Sequence, residues 1–425
     1  MALNIRHQLL GFMSISHFIH HVLLYAFPAL LILIIDDIPL NYLEMGILGS
    51  LPSLIMAFTS PLIGYLGKKP VTGFFIVLMG VLLFAVSCFS ITTANDFFGL
   101  FIGNIILGLG CTTYHPVGLG VCANSFSEHN RGKAMAINHA AGVIGTAVSP
   151  FSTLTLAIFV FTWRLTFFFL GVFCILLVIF LMLWLFLQNL VSRFESLVIA
   201  KEEKKLVTNV SNNLSIRSSP HRNWILTSLA LIILISALRG GVYRSISYFT
   251  TTLLKNFYSV DAFFAGVLTS LILLFGSISD IYGAVKSDRL GPRGRTRIIL
   301  ISALISSIAI MGLIIITLGF SEILVIIFGF STFAVGFYLA GGTLQALQAD
   351  LVPAKDRTFF YSIVFSLGLV ISSISPTVFG ALLDMFQSPV GGLLFMLSLM
   401  IASFFITALF RRRLQFAERN NLFSH

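Results

Sequence analysis

Apolar runs long enough to cross a bilayer follow one another along the whole chain, each closed by a short polar or charged break. They fall at about 9–35, 43–66, 71–93, 97–124, 134–160, 164–188, 224–254, 262–283, 298–318, 321–349, 358–383 and 389–410. A spanning helix needs about 20 mostly apolar residues, so the pattern predicts twelve transmembrane helices. A barrel strand would alternate apolar and polar positions over about ten residues, whereas "FFFLGVFCILLVIFLMLWLFL", Phe167 to Leu187, has no polar position. The expected fold class is all-α, a polytopic membrane protein. Composition agrees: the 425 residues are 57% hydrophobic and 10% charged, with a mean hydropathy of +0.99, outside the range of water-soluble domains. The first run is too long for a cleaved signal, and no small-residue cleavage site follows it.

Charge fixes the expected orientation. With both termini in the cytoplasm, every Lys and Arg outside the spans falls on that side except Arg164 and Lys255; Lys68, Lys69, Arg131, Lys133, Arg289 to Arg297 and Arg411 to Arg413 lie there. Asp36, Asp37, Glu44, Asp96, Asp261, Glu322 and Asp384 fall on the other side. This satisfies the positive-inside rule, and the expected localisation is the cell (inner) membrane. The net charge of +10 then reflects topology and contact with anionic lipid headgroups rather than nucleic acid. Cys88, Cys111, Cys122 and Cys174 lie inside spans without metal-ligand spacing and read as small core residues.

The longest break, 189–222, is polar and mixed in charge and reads as a flexible cytoplasmic linker between six-helix bundles at 1–188 and 223–425. The halves are related. "ANSFSEHNRGKAMAINHAAGVIGTAVSP" and "ADLVPAKDRTFFYSIVFSLGLVISSISP" align without gaps, pairing Ala123 with Ala349, Arg131 with Arg357, Gly142 with Gly368, Ser149 with Ser375 and Pro150 with Pro376. Two pseudo-symmetric six-helix halves are the ground plan of secondary transporters, with a central site between them.

Two loops and three short motifs then carry a resemblance. "GAVKSDRLGPRGR" resembles the cytoplasmic signature of the major facilitator superfamily through Gly283, Asp288, Arg289, Gly291, Arg293 and Arg295. The resemblance implies a gate: the glycine permits close helix approach, and the carboxylate pairs in one conformation only. The matching loop of the first half, "GYLGKKP", keeps Gly64, Lys68 and Lys69 but lacks the Asp-Arg pair. Within the superfamily the chain is most similar to the fosmidomycin-resistance type of exporter. Those proteins carry Ser-His and Asn-Asp in span 1, aromatic-His-Pro in span 4 and Gly-x-x-x-Gly-Pro in span 5. Here the segments are "SHFIHH", "TTYHPVG" with Tyr114, His115 and Pro116, and "GTAVSP". His20 and His21 replace the Asn-Asp, and Ser149 stands where that family has glycine.

The histidines of span 1 admit several chemistries. H-x-x-H-H is also one box of the membrane di-iron desaturases, which need about eight histidines in several boxes; this chain has a single box, so no enzyme activity, cofactor or metal ligand is assigned. Transport of a metal or metal chelate stays open, because His17 and His21 are four apart and share a helix face. The preferred reading is proton coupling: buried ionisable groups in spans usually face an interior path, and histidine titrates near neutral pH. His17, His20, His21, Tyr114, His115 and His139 are the candidate residues in the first half, with Pro116 expected to kink span 4 beside His115. In the second half the candidates are Arg239, Tyr243, Arg244 and Gln345. Arg239 and Tyr243 share a face, whereas Arg244 lies about 140° from Arg239, and a deep arginine suits either an anionic group or a fixed partner such as Asp280 or a carbonyl. The expected function is proton-coupled export of a small amphipathic or anionic organic compound by a monomer. An importer, a metal carrier and a non-transporting membrane sensor are the alternatives.

Overall fold

The computed structural model describes residues 2–67, 70–126, 128–193, 195–196, 222–319, 322–351 and 357–419, and among them all regular structure is helical. The helices are α1 (Ala2–Asp37), α2 (Tyr42–Leu66), α3 (Pro70–Thr92), α4 (Phe97–Ser125), α5 (Glu128–Thr155), α6 (Trp163–Leu187), α7 (Arg222–Asn256), α8 (Ala262–Asp288), α9 (Gly291–Gly319), α10 (Ile323–Tyr338), α11 (Gly341–Leu351), α12 (Arg357–Ser373), α13 (Ser375–Phe386) and α14 (Pro389–Arg419). Among the described residues, twelve spans are long and apolar enough to cross a membrane. Two of them are each made of two helices, α10 with α11 and α12 with α13. A lipid-exposed backbone has no other partners for its N–H and C=O groups, which is why the apolar runs fold as helices. Exposed side chains such as Phe98, Phe186, Leu324 and Phe328 suit hydrocarbon and not water. Polar residues cap two of the helix starts: Asp96 accepts from the Gly99 amide at 2.8 Å, and Thr162 from Leu165 at 3.3 Å.

The chain forms two compact units. One comprises Met1–Leu40, Leu51–Asn212 and Ala262–Ser270; the other comprises Asn41–Ser50, Asn213–Asp261 and Leu271–His425. Within the first unit α1 packs along α5 and α4, and α3 packs on α4 and α6. Within the second, α7 packs along α12, and α9 packs on α10 and α14. The pairings match span for span: first with fifth, third with fourth, third with sixth. Element starts follow the same register, since Phe97 and Ile323 open α4 and α10 while Trp163 and Pro389 open α6 and α14, both pairs 226 residues apart.

The expected linker begins as structure. Residues 190–193 form a helical turn, and Arg193 donates to the Gln188 carbonyl at 3.2 Å while Gln8 Nε2 donates to Gln188 Oε1 at 3.0 Å. Residues 197–221, where the flexible segment was expected, lie outside the described residues.

Candidate functional site

The first unit gathers four histidines. His17, His20 and His21 lie on α1, and His115 reaches them from α4; the His115 ring centroid is 5.5 Å from that of His17, 4.9 Å from His20 and 5.8 Å from His21. His17 and His20 are only 3% and 1% exposed. The one-turn spacing of His17 and His21 brings their Nε2 atoms to 3.2 Å. Their other nitrogens are tied to α5: His17 Nδ1 lies 2.8 Å from the Asn138 backbone carbonyl, and His21 Nδ1 lies 2.9 Å from Thr146 Oγ1. A carbonyl only accepts, so His17 carries its hydrogen on Nδ1 and presents a lone pair at Nε2 in its neutral form. Thr146 Oγ1 also lies 3.2 Å from the Gly142 carbonyl, so its hydroxyl has two acceptors to choose between.

Aromatic groups hold the rings in place. Tyr114 stacks on His17 at 4.5 Å with 14° between the planes, and its hydroxyl donates toward the Met13 carbonyl at 2.9 Å and Asn138 Oδ1 at 2.7 Å. Tyr25 lies parallel to His21 at 6.2 Å. His20 packs edge-on to Phe84, and neither of its ring nitrogens has a hydrogen-bond partner. Close approach of α1 and α5 depends on Gly142, where a Cβ would come within 2.7 Å of His17 Nε2 and 2.9 Å of His21 Cδ2. Ser149, the departure from the family glycine, donates to the Val22 carbonyl at 2.7 Å and so stitches the same seam. His139 follows Asn138 on α5 and is exposed.

In the second unit the candidates surround the break between α10 and α11. The freed carbonyls of Gly336 and Phe337 accept from Ser302 Oγ at 2.6 and 3.2 Å, and Phe337 also accepts from Arg239 Nη2 at 2.5 Å. The Arg239 guanidinium sits over the Phe337 ring at 4.8 Å, with Nη2 also 2.9 Å from Ser302 Oγ. Across the break, Asp280 accepts from the Gly342 amide at 2.6 Å and so caps α11. Arg239 therefore has a carbonyl as its fixed partner, while its buried Nη1 has none. Tyr243 meets Tyr338 edge-on at 5.8 Å on the same side, whereas Arg244 turns back to the Gly240 carbonyl at 3.2 Å, so the two arginines do not converge. Gln345 is exposed, and Gln348 donates to Ser236 Oγ at 3.1 Å.

The signature loop has distinct local reasons. At Gly283 a Cβ would overlap the Leu339 carbonyl, so this glycine lets α8 touch the α10–α11 break. Gly291 opens α9 with φ of +59°, a conformation that favours glycine. Arg295 pairs with Asp350, and Arg289 and Arg293 are exposed. The Asp288 side chain lies outside the described residues. In the first-half loop Gly64 would meet Pro116 only at an ordinary 3.4 Å, and the tight contact falls instead at Gly67 against Val117.

Asn138, Gly142 and Thr146 were not singled out as site residues, yet they step by four along α5 and form its histidine-facing stripe. That period was the available signal.

Residues 13–347 match the sequence profile of the Major Facilitator Superfamily. The chain belongs to this superfamily. As a major facilitator it is a secondary transporter embedded in a membrane and moving a small molecule, in a family of carriers rather than enzymes. Similar solved structures include a bacterial homologue of the human lysosomal transporter Spinster, inward-facing and occupied, with a TM-score of 0.72 and 14% identity over 97% of both chains. A POT family transporter in complex with 5-aminolevulinic acid gives 0.70 at 13% identity over 94% of both chains. The peptide transporter POT in complex with sulfate gives 0.72 at 14% identity, covering 97% of this chain and 94% of that one. At such identities the likeness is one of fold. No curated protein matches the sequence.

Proposed function

We propose that this major facilitator is a proton-coupled exporter of a small amphipathic or anionic organic compound, of the fosmidomycin-resistance type, working as a monomer in the cell membrane with both termini cytoplasmic. The observation that carries the reading is the 3.2 Å contact between His17 Nε2 and His21 Nε2. In the neutral pair His21 donates from Nε2 to the His17 lone pair, and Thr146 donates to His21 Nδ1. When a proton binds, His17 becomes the donor at Nε2. His21 then moves its own hydrogen to Nδ1 and donates to Thr146, whose hydroxyl turns to the Gly142 carbonyl. Both states leave every one of these donors paired, so the cluster takes up and releases a proton without stranding a buried group. The unpartnered Nη1 of Arg239, with Tyr243 nearby, supports an anionic group on the cargo.

The direct test is transport by the purified protein in proteoliposomes with an imposed pH gradient, against a panel of small organic anions and amphipaths. At least one compound is expected to move uphill in exchange for protons. Transport of a panel member at a rate indifferent to the gradient contradicts proton coupling.

A further inference from the structure

The histidine cluster also meets the requirements of a metal site. His17, His21 and His115 each offer a ring nitrogen, and the three ligand atoms lie within 4.8 Å of one another. Zinc binds imidazole nitrogen at about 2.0–2.1 Å, and two such ligands on a tetrahedral ion stand roughly 3.3 Å apart. His17 Nε2 and His21 Nε2 are already 3.2 Å apart. Their outer partners are also those of metal ligands: His17 Nδ1–H donates to a backbone carbonyl, and His21 Nδ1 has a hydroxyl in reach to accept its hydrogen, which turns both Nε2 lone pairs inward. His20 adds a fourth imidazole to the same cluster, outside the three-nitrogen group. Its two ring nitrogens are buried beside His115 without a partner, and a buried donor left unpaired costs on the order of 1–3 kcal/mol.

We propose that His17, His21 and His115 bind one divalent transition-metal ion of the zinc, cobalt or nickel class. The ligand set decides the class, because imidazole suits these ions while calcium and magnesium require oxygen. Three neutral histidines leave a coordination position open, as in three-histidine zinc centres, and an anionic ligand there offsets the ion's charge. Gly142 is the feature that lets the two α1 rings lie against α5 at this spacing. The ion takes the place between the two Nε2 atoms that the coupling proton occupies in the reading above, so the two occupants exclude one another. That exclusion rests on the proton reading; the ion site itself rests on geometry and stands without it.

The experiment uses the full-length protein, free of any affinity tag, chelator-treated in lipid nanodiscs. It is titrated with Zn²⁺ by calorimetry and with Co²⁺ by visible absorption. One ion per chain is expected, with cobalt bands of four-coordinate intensity. His21→Gln and His115→Gln should each weaken binding at least tenfold, Thr146→Ala about tenfold, and the exposed His7→Gln not at all. Helicity and gel-filtration profiles confirm that each variant is folded; should His21→Gln fail this check, His115→Gln and Thr146→Ala decide. Absence of a one-to-one site in the wild type, or equal affinity in folded His115→Gln, overturns the proposal. Transport in the same preparation keeps the two readings apart. A protein that binds no ion yet exchanges cargo for protons refutes the metal site alone, whereas tight binding with gradient-independent transport refutes the proton reading alone.

Discussion

Gly142 sets the distance between the two chemistries of the site, the lone pairs on α1 and the hydrogen-bond partners on α5. A methyl group there would meet both His17 and His21 at less than 3 Å, inside the closest approach that packed carbon and nitrogen tolerate. Gly142→Ala is therefore expected to part the rings while leaving their titratable groups intact. The measurable outcome is a folded protein with gradient-driven transport reduced by at least tenfold, and wild-type transport in that variant would show that the 3.2 Å contact is not needed. The i, i+4 spacing of His17 and His21 was legible in the sequence because a helix fixes it. His115 was expected to share a cavity with them and does reach them, but how closely was not legible, since the rotation of α4 about its axis is set by packing on α1 and α3. Asn138 and Thr146 escaped notice for another reason: neutral polar residues are common in spans, and only their register against α1 gives them a role.

Among the elements, the break between α10 and α11 is the one that sequence periodicity hid. "FYLAGG" reads as uninterrupted apolar helix with small residues for close packing. The structure instead divides it at Leu339 and Ala340, binds the carbonyl end with Arg239 and Ser302, and caps the amide end with Asp280. Discontinuous helices of this kind expose fixed dipole ends where transporters handle ions and polar substrates. The register of the repeat pairs Gly341 and Gly342 with His115 and Pro116, so the break in the second half falls where the first half carries a proline, although α4 runs through Pro116 as one continuous helix. Loss of the cap has a definite cost. Asp280→Ala should destabilise by about 1 kcal/mol, the usual worth of a helix cap, seen as a lower unfolding temperature in detergent. Asp280→Asn, which still accepts from the Gly342 amide, should recover most of it. An Ala variant as stable as wild type would remove Asp280 from this role.

For the whole molecule, the twelve runs and the 226-residue register were readable because membrane solvent leaves the backbone one choice and duplication leaves its spacing. The halves share packing but not chemistry: histidines cluster in the first, and Arg239 with Tyr243 stands in the second. The topology expected from charge has its own check. Single cysteines at Asp96 and Arg412, in a cysteine-free background, should be labelled from outside and from the cytoplasm respectively; labelling of both from one side would break the orientation. The central claim, that a proton shared by His17 and His21 drives transport, is tested most directly by His21→Gln in proteoliposomes with an imposed pH gradient. Glutamine keeps hydrogen bonding but cannot titrate, so cargo binding should persist while transport loses its dependence on the gradient. Gradient-driven transport at the wild-type rate in folded His21→Gln would contradict the account.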